Sequence, residues 1–214
     1  MRIRLFTIAV FAVQAFCFSS AGNAADLYDN LGQPVSVDGN FSDGTWPALS
    51  FKTTLADYVL DSVTIPIRNP NLLSSGTISF VLYDSTGVGG GPGAAVGSPL
   101  GSVSIAGISG AGYQNVTFAG LKRTLTSDKH YWVAVQGAGL ASVFYVGATT
   151  STGGNLSGSL GFSISSDAGA SWSAPSTSVF VIGQVNAVPE PSTYALGAVA
   201  ALTAGWLARR KRSN

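Results

Sequence analysis

Sulfur and imidazole are almost missing from this 214-residue chain, which has one cysteine, Cys17, and one histidine, His130. A disulfide needs two cysteines, and imidazole ligation of zinc needs more nitrogen or sulfur ligands than one histidine and one cysteine supply. Glutamate is as scarce, with Glu190 alone. A glycosidase pair would then need two aspartates such as Asp38 and Asp43, and each of those opens an Asp-Gly dipeptide, which is turn chemistry. A Ser-His-Asp triad has one candidate base, His130, and the chain contains no G-x-S-x-G elbow. These shortages argue against an enzyme. No cofactor is implied, and the usual metal sites have too few ligands.

Charge is also sparse, with Asp, Glu, Lys and Arg making up 10% of the chain. Most of the positive charge lies at the two ends. Between 25 and 187 five basic side chains, Lys52, Arg68, Lys122, Arg123 and Lys129, stand against nine aspartates, a balance of −4. A mildly acidic domain is a poor match for nucleic acid.

Long apolar runs are absent from the interior and occur only at the termini. Arg2 and Arg4 precede an apolar stretch over 5–18, and Gly22-Asn23-Ala24 places small residues where a signal peptidase reads them. The expected cut follows Ala24, with Ala25 as the fallback. Cys17 follows Phe16 inside the apolar run, where a lipoprotein signal needs a small residue, so acylation is not expected. Removal of this leader leaves a chain without cysteine.

The other end has three parts in order. Val188-Pro189-Glu190-Pro191-Ser192-Thr193 contains two prolines, which fix φ and stop a helix from running back through them. An apolar stretch over 194–208 follows; as a helix it covers about 25 Å, short of a hydrocarbon core of roughly 30 Å. Arg209, Arg210, Lys211 and Arg212 then hold the last residues on the cytoplasmic side. An ordinary short C-terminal transmembrane helix is one reading of these parts.

Taken together, the motif, helix and basic cluster resemble the PEP-CTERM sorting signal of Gram-negative bacteria, with Pro189-Glu190-Pro191 as its signature. That resemblance implies Sec export, transient anchoring in the inner membrane, processing by a membrane-embedded exosortase, and a setting rich in exopolysaccharide. It divides the chain into a signal peptide (1–24), an extracellular domain (25–187) and a sorting signal (188–214), whose motif is 188–193. In a GPI-type signal the hydrophobic tail is removed, and by that analogy the mature protein has no transmembrane helix.

Within the middle region strand formers recur with a period near two, separated by Gly, Ser, Asn, Asp and Pro. The pattern predicts strands over 49–54, 58–67, 77–84, 101–105, 114–119, 130–136, 142–147, 161–165 and 178–185. Ile78, Phe80 and Leu82 share a face in one of them. Val59, Asp61, Val63, Ile65 and Ile67 share a face in another, with Asp61 as the polar interruption. No apolar 3.6 repeat lasts three turns. The expected fold is all-β, a β-sandwich of jelly-roll type, with barrel closure left open by spacing alone.

Two glycine-rich tracts, 85–99 and 149–159, read as loops, the first as a mobile hairpin loop. The first does not fit a phosphate-binding pattern. Tyr28-Asp29-Asn30, Phe80-Val81-Leu82-Tyr83-Asp84, the Pro92-Gly93 loop ending at Gly97 and Tyr131-Trp132-Val133-Ala134-Val135 resemble, in that order, the choice-of-anchor surface domains of R type. That resemblance implies an extracellular β-sandwich and gives no residue a catalytic role. Ser165 to Trp172 resembles an Asp-box, S-x-D-x-G-x-[ST]-W, a hairpin in which Asp and Gly shape the turn. Asp167 capping its own turn and Gly169 at positive φ account for these residues structurally.

Calcium is a weaker candidate, with oxygen donors at Asp38-Gly39-Asn40-Phe41-Ser42-Asp43-Gly44, where EF-hand order is lacking because Asp43 falls where the invariant Gly belongs and Leu49 where the bidentate Glu belongs. Two functions fit the residues. One is a displayed, non-catalytic surface or matrix protein associated with exopolysaccharide. The other is a glycan-binding module in which Trp46, Tyr113, Trp132 or Trp172 stacks on sugar rings. Trp132 lies on an apolar strand and reads as core, which leaves Trp46, in a turn-rich segment before Pro47, as the favoured ligand-stacking residue.

Overall fold

The computed structural model describes residues 24–70, 75–108, 112–140, 143–156 and 158–190. All of the expected leader except Ala24, the apolar stretch over 194–208 and the basic run over 209–212 lie outside the described residues. Every named strand pair is antiparallel. The strands are β1 (Ala25–Asp29), β2 (Val37–Phe41), β3 (Trp46–Lys52), β4 (Tyr58–Arg68), β5 (Thr77–Asp84), β6 (Gly101–Ser104), β7 (Gln114–Leu125), β8 (His130–Ala138), β9 (Phe144–Thr149), β10 (Phe162–Ser165), β11 (Phe180–Val181) and β12 (Gln184–Pro189).

One sheet runs β1-β12-β4-β9-β11, with β2 also on β9 and β7 also on β4; the other runs β10-β3-β8-β5-β6. β4 organises the first sheet. One of its edges pairs with β7, and the other is divided between β12 and, at Ile67 and Arg68, β9. The two sheets enclose one apolar core. Ile78, Phe80, Leu82, Val133 and Val135 enter it from one side and Leu60, Val63, Ile65, Ile67, Phe144 and Val146 from the other. Phe80 meets Phe118 edge-on across the gap, with ring centroids 4.8 Å apart. Burying each such side chain contributes about 1.5–3 kcal/mol.

The face expected of β4 is corrected by a bulge. Leu60 pairs with Arg123 and Ser62 with Ala119, so residues 120–122 of β7 stand opposite Asp61 alone. Against β12, Asp61 is likewise the extra residue, since Leu60 faces Ala187 and Ser62 faces Asn186. The slip changes which residues point inward. Tyr58 and Leu60 are buried before it and Val63, Ile65 and Ile67 after it, while Val59 is only half-buried and Asp61 is exposed. A carboxylate in the core would be costly, and one inserted residue lets both halves of the strand bury apolar side chains.

Two strands were not legible in the sequence. β1 has only Leu27 and Tyr28 to bury, and β2 contains an Asp-Gly pair that reads as a turn. Pairing with β9 and contact of Phe41 with Phe144, at 5.6 Å between centroids, hold β2 extended. The stretch expected as a strand over 178–185 is instead two strands, β11 and β12, and β7 continues past 119 to Leu125.

The segment over 85–99 is tied to the domain at Asp84 and Gly90 as a cover, with Thr86, Val88 and residues 97–99 exposed. Trp132 points away from the main core, yet it is fully buried beside Ala48, Val81, Tyr83 and Ala134. The segment lies over this cluster, and the Trp132 indole N–H donates to the Gly90 carbonyl at 2.9 Å. Asp84 fastens the base of the segment by accepting from the Thr86 N–H, the Thr86 hydroxyl and the Ala94 N–H. Gly93 is required there, because a Cβ would lie 2.0 Å from Thr86 Oγ1.

Candidate functional site

The sorting motif begins inside the folded domain. Val188 faces Val59 and Pro189 faces Tyr58 across the β12–β4 ladder, and the Glu190 N–H donates to the Asp57 carbonyl at 3.0 Å. The division expected at 187 therefore falls within β12. Pro189 is tolerated because N–H directions alternate along a strand. Glu190 donates towards β4, so the Pro189 nitrogen faces the opposite side, where the ladder to β1 has already ended at Ala25–Ala187. Pro191, Ser192, Arg209, Arg210, Lys211 and Arg212 lie outside the described residues.

Ala24, where the leader is expected to end, lies at the same pole. Ala24 is exposed and Ala25 opens β1 opposite Ala187, so a cut after Ala24 leaves β1 whole. Close by is an open cleft of about 320 Å³, lined by Asp26, Lys52, Thr54, Leu55, Asp128 and Asn155 among others. Lys52 and Asp128 form an ion pair across it at 2.6 Å, and Leu55 is 90% exposed at its rim. His130 faces the same two charges. Partial burial and then the Lys52 ammonium hold its imidazole below the ordinary histidine value.

A second group of polar and aromatic side chains gathers on the outer face of the β4 sheet. Arg68 at the end of β4 pairs with Asp38 of β2 at 2.6 Å. Its guanidinium stacks on Tyr145 of β9, 4.6 Å from the ring centroid, and on Tyr113 just before β7, at 5.2 Å. The Tyr113 hydroxyl donates to Asp38. Burial, then this bond and the Asp38 charge, push the Tyr113 phenol well above its usual range. Asn40 stands opposite Tyr145 on the same face, and exposed Val35 and Val143 border it. Tyr113 was a sequence candidate. Asn40 was a candidate only as a calcium donor, and Arg68 and Tyr145 were not candidates, because these residues come from three strands and no sequence spacing connects them.

The tryptophans behave differently from one another. Trp46, the favoured stacking residue, is half-buried, its ring lies against Gly169, and its N–H donates to the Asp43 carbonyl at 3.1 Å. Trp172 packs edge-on against Tyr83 at 5.4 Å. Both lie at the Asp-box-like turn. Asp167 there accepts from the Ser171 N–H at 2.8 Å, the Ser171 hydroxyl at 2.5 Å and the Ser165 hydroxyl at 2.8 Å. These bonds, the Ser171 hydroxyl foremost, hold its carboxyl at about 2.

The candidate calcium donors are not brought together. Asp38 turns to Arg68 and Tyr113, while Asp43 accepts from the Gly139 and Leu140 N–H groups at 3.0 and 2.8 Å. Among the described residues no three of His, Cys, Asp and Glu form a metal-binding group.

Residues 187–212 match the PEP-CTERM protein-sorting motif. That motif marks the chain as an exported, exosortase-sorted protein of the cell envelope. No curated protein matches the chain. Among solved structures it is similar to the crystal structure of the cysteine protease and lectin-like domains of Cwp84, a surface layer associated protein of Clostridium difficile. The identity is 16% and the TM-score 0.43, over 74% of this chain and 37% of that one. Of the matched residues, Ala187, Val188 and Pro189 form the end of β12, and Ala187 faces Ala25 at the start of β1.

Proposed function

We propose that this is a non-catalytic surface or matrix protein, exported through the Sec route, anchored transiently through its apolar tail, and associated with exopolysaccharide once an exosortase has removed that tail. The sorting motif over 187–212 carries this reading. The short supply of acid, base and metal ligands agrees with a protein that works by being displayed, on a β-sandwich of the choice-of-anchor, jelly-roll kind. Intact mass spectrometry of envelope and medium fractions from a native host tests it. The expected species lacks the first 24 residues and the apolar tail. A membrane-bound species still carrying 194–214 would instead make this a plain tail-anchored protein.

A second reading, glycan binding, is favoured by the Arg68 face rather than by Trp46. Two tyrosine rings, a guanidinium, a carboxylate and an amide on one open sheet face are the groups that recognise sugar rings and hydroxyls. Affinity electrophoresis in neutral and uronate-rich polysaccharides tests it. Retardation abolished in the Tyr113→Ala/Tyr145→Ala variant supports it, and equal mobility in every gel rejects it.

A further inference from the structure

We infer that the glycan taken by the Arg68 face is an uncharged polysaccharide, held in extended form along β4 from the Tyr113 and Tyr145 rings towards Asn186. The inference rests on the glycan-binding reading above and makes its ligand specific. Val63, Ile65 and Ile67 face the core, so alternation along β4 turns Ser62, Thr64, Pro66 and Arg68 to the outer face. Tyr145 of β9 stands opposite Arg68, Asn115 of β7 opposite Pro66, Thr117 of β7 opposite Thr64 and Asn186 of β12 opposite Ser62. From Ser62 to Arg68 this row extends about 20 Å, at roughly 3.3 Å per residue.

The groups along the row suit a sugar chain. At the Arg68 end the Tyr113 ring lies low on the sheet, since a Cβ at Gly147 would come within 3.5 Å of the ring and 3.2 Å of Val35. The ring and exposed Val35 offer an apolar ledge for the C–H face of a sugar, next to the Asp38 carboxylate. Further along, buried Ser62 and Thr64 form the floor, with exposed Asn115 and Thr117 as one edge. Thr64 and Thr117 share a hydrogen bond at 2.8 Å, and the Asn186 amide donates to Ser62 at 3.3 Å. Hydroxyls and amides both donate and accept, as sugar hydroxyls do.

Charge decides the class of chain. Arg68 is already paired with Asp38. Near the other end stand Asp26, exposed and opposite Asn186, and Asp61 and Lys122 of the bulge, while Arg123 is held by Ser98. Arg68 and Lys122 against Asp38, Asp26 and Asp61 leave a balance of −1. A uronate-rich chain is charged on many units and needs a surplus of cations along its path, which this row does not supply. An uncharged chain needs none.

The test is affinity electrophoresis of the protein in hydroxyethylcellulose, dextran and galactomannan, all neutral, and in alginate, a uronate polymer. Retardation is expected in a neutral gel, with mobility in alginate equal to that in a polymer-free gel. A hexasaccharide cut from the retarding polymer should restore mobility at a concentration about tenfold below that of the disaccharide. Asn115→Ala, on the exposed edge of β7 and outside the core, should weaken retardation about fivefold. Retardation in alginate as strong as in any neutral gel overturns the inference. Equal potency of the two oligosaccharides, or full retention of binding by Asn115→Ala, also overturns it and leaves glycan binding at the Arg68 face standing. Absence of retardation in every gel, or retardation that survives in Tyr113→Ala/Tyr145→Ala, rejects the glycan-binding reading and this inference with it.

Discussion

Ala25 and Ala187 face each other across the β1–β12 ladder, so the first strand of the domain starts where the last one is about to finish. Ala24, at the expected leader boundary, and the start of the sorting motif thereby lie at one pole. Strand β12 connects that pole to the centre of the sheet through β4. A domain ending at Ala187 loses the pairing of Val188 with Val59 and the bond from Glu190 to Asp57. At about 0.5–1.5 kcal/mol for each net hydrogen bond, it should be about 1–3 kcal/mol less stable than one ending at Glu190. Urea denaturation of the two forms measures the difference.

Replacing Trp132 by Ala removes the largest fully buried side chain among the described residues, together with its bond to Gly90. A loss of about 3–5 kcal/mol is expected. Trp132→Phe keeps most of the packing and leaves the Gly90 carbonyl without that donor, at a smaller cost of about 1–3 kcal/mol. Because the cover over 85–99 rests on this indole, hydrogen exchange at Gly91 and Gly93 should speed up in both variants, more in the alanine one.

Asp167 gives the turn a pH dependence. Its carboxyl titrates at about 2 in the folded chain, below an ordinary aspartate near 3.8, so on acidification the unfolded chain takes up the proton first. The stabilisation is complete above about pH 4 and is lost as the pH falls towards 2. Thermal melts between pH 2 and pH 5 should show a steeper decline for the parent than for Asp167→Asn. The asparagine variant should already be the less stable of the two at pH 7.

Gly169→Ala tests the other half of the turn. The residue has φ of +84°, and a Cβ would come within 2.5 Å of the Trp46 ring. The substitution strains the backbone and displaces the indole, for a loss of about 1–2 kcal/mol and a shifted tryptophan emission. An unchanged spectrum would mean that Trp46 does not rest on this turn.

Much of the architecture can be traced to local pattern. Ile78, Phe80 and Leu82 alternate in the sequence and are all buried in one core, because side chains along a strand point to opposite faces in turn. The ordered motif and apolar run at the end of the chain identify its routing without any fold, since such signals are read as linear chain. The Asp-box-like turn also comes from neighbours, as the bonds at Asp167 span four residues at most.

Other features depended on partners distant in sequence. Asp61 looked like a flaw in an inward face until the ladders on both sides of β4 showed that it is a bulge, a matter of register and not of composition. β2 is a strand because β9 supplies hydrogen bonds and Phe144 supplies a contact for Phe41, which outweigh the turn preference of Asp38-Gly39. The Arg68 face joins Asp38, Tyr113 and Tyr145, separated by up to 107 positions in the chain, and exists only once three strands lie side by side. The sequence alone determined the export route and the strand periodicity, because these depend on adjacent residues. Tertiary structure alone decided that the sorting motif starts as a paired strand, because its hydrogen-bond partners, Asp57 to Val59, lie some 130 residues earlier in the chain.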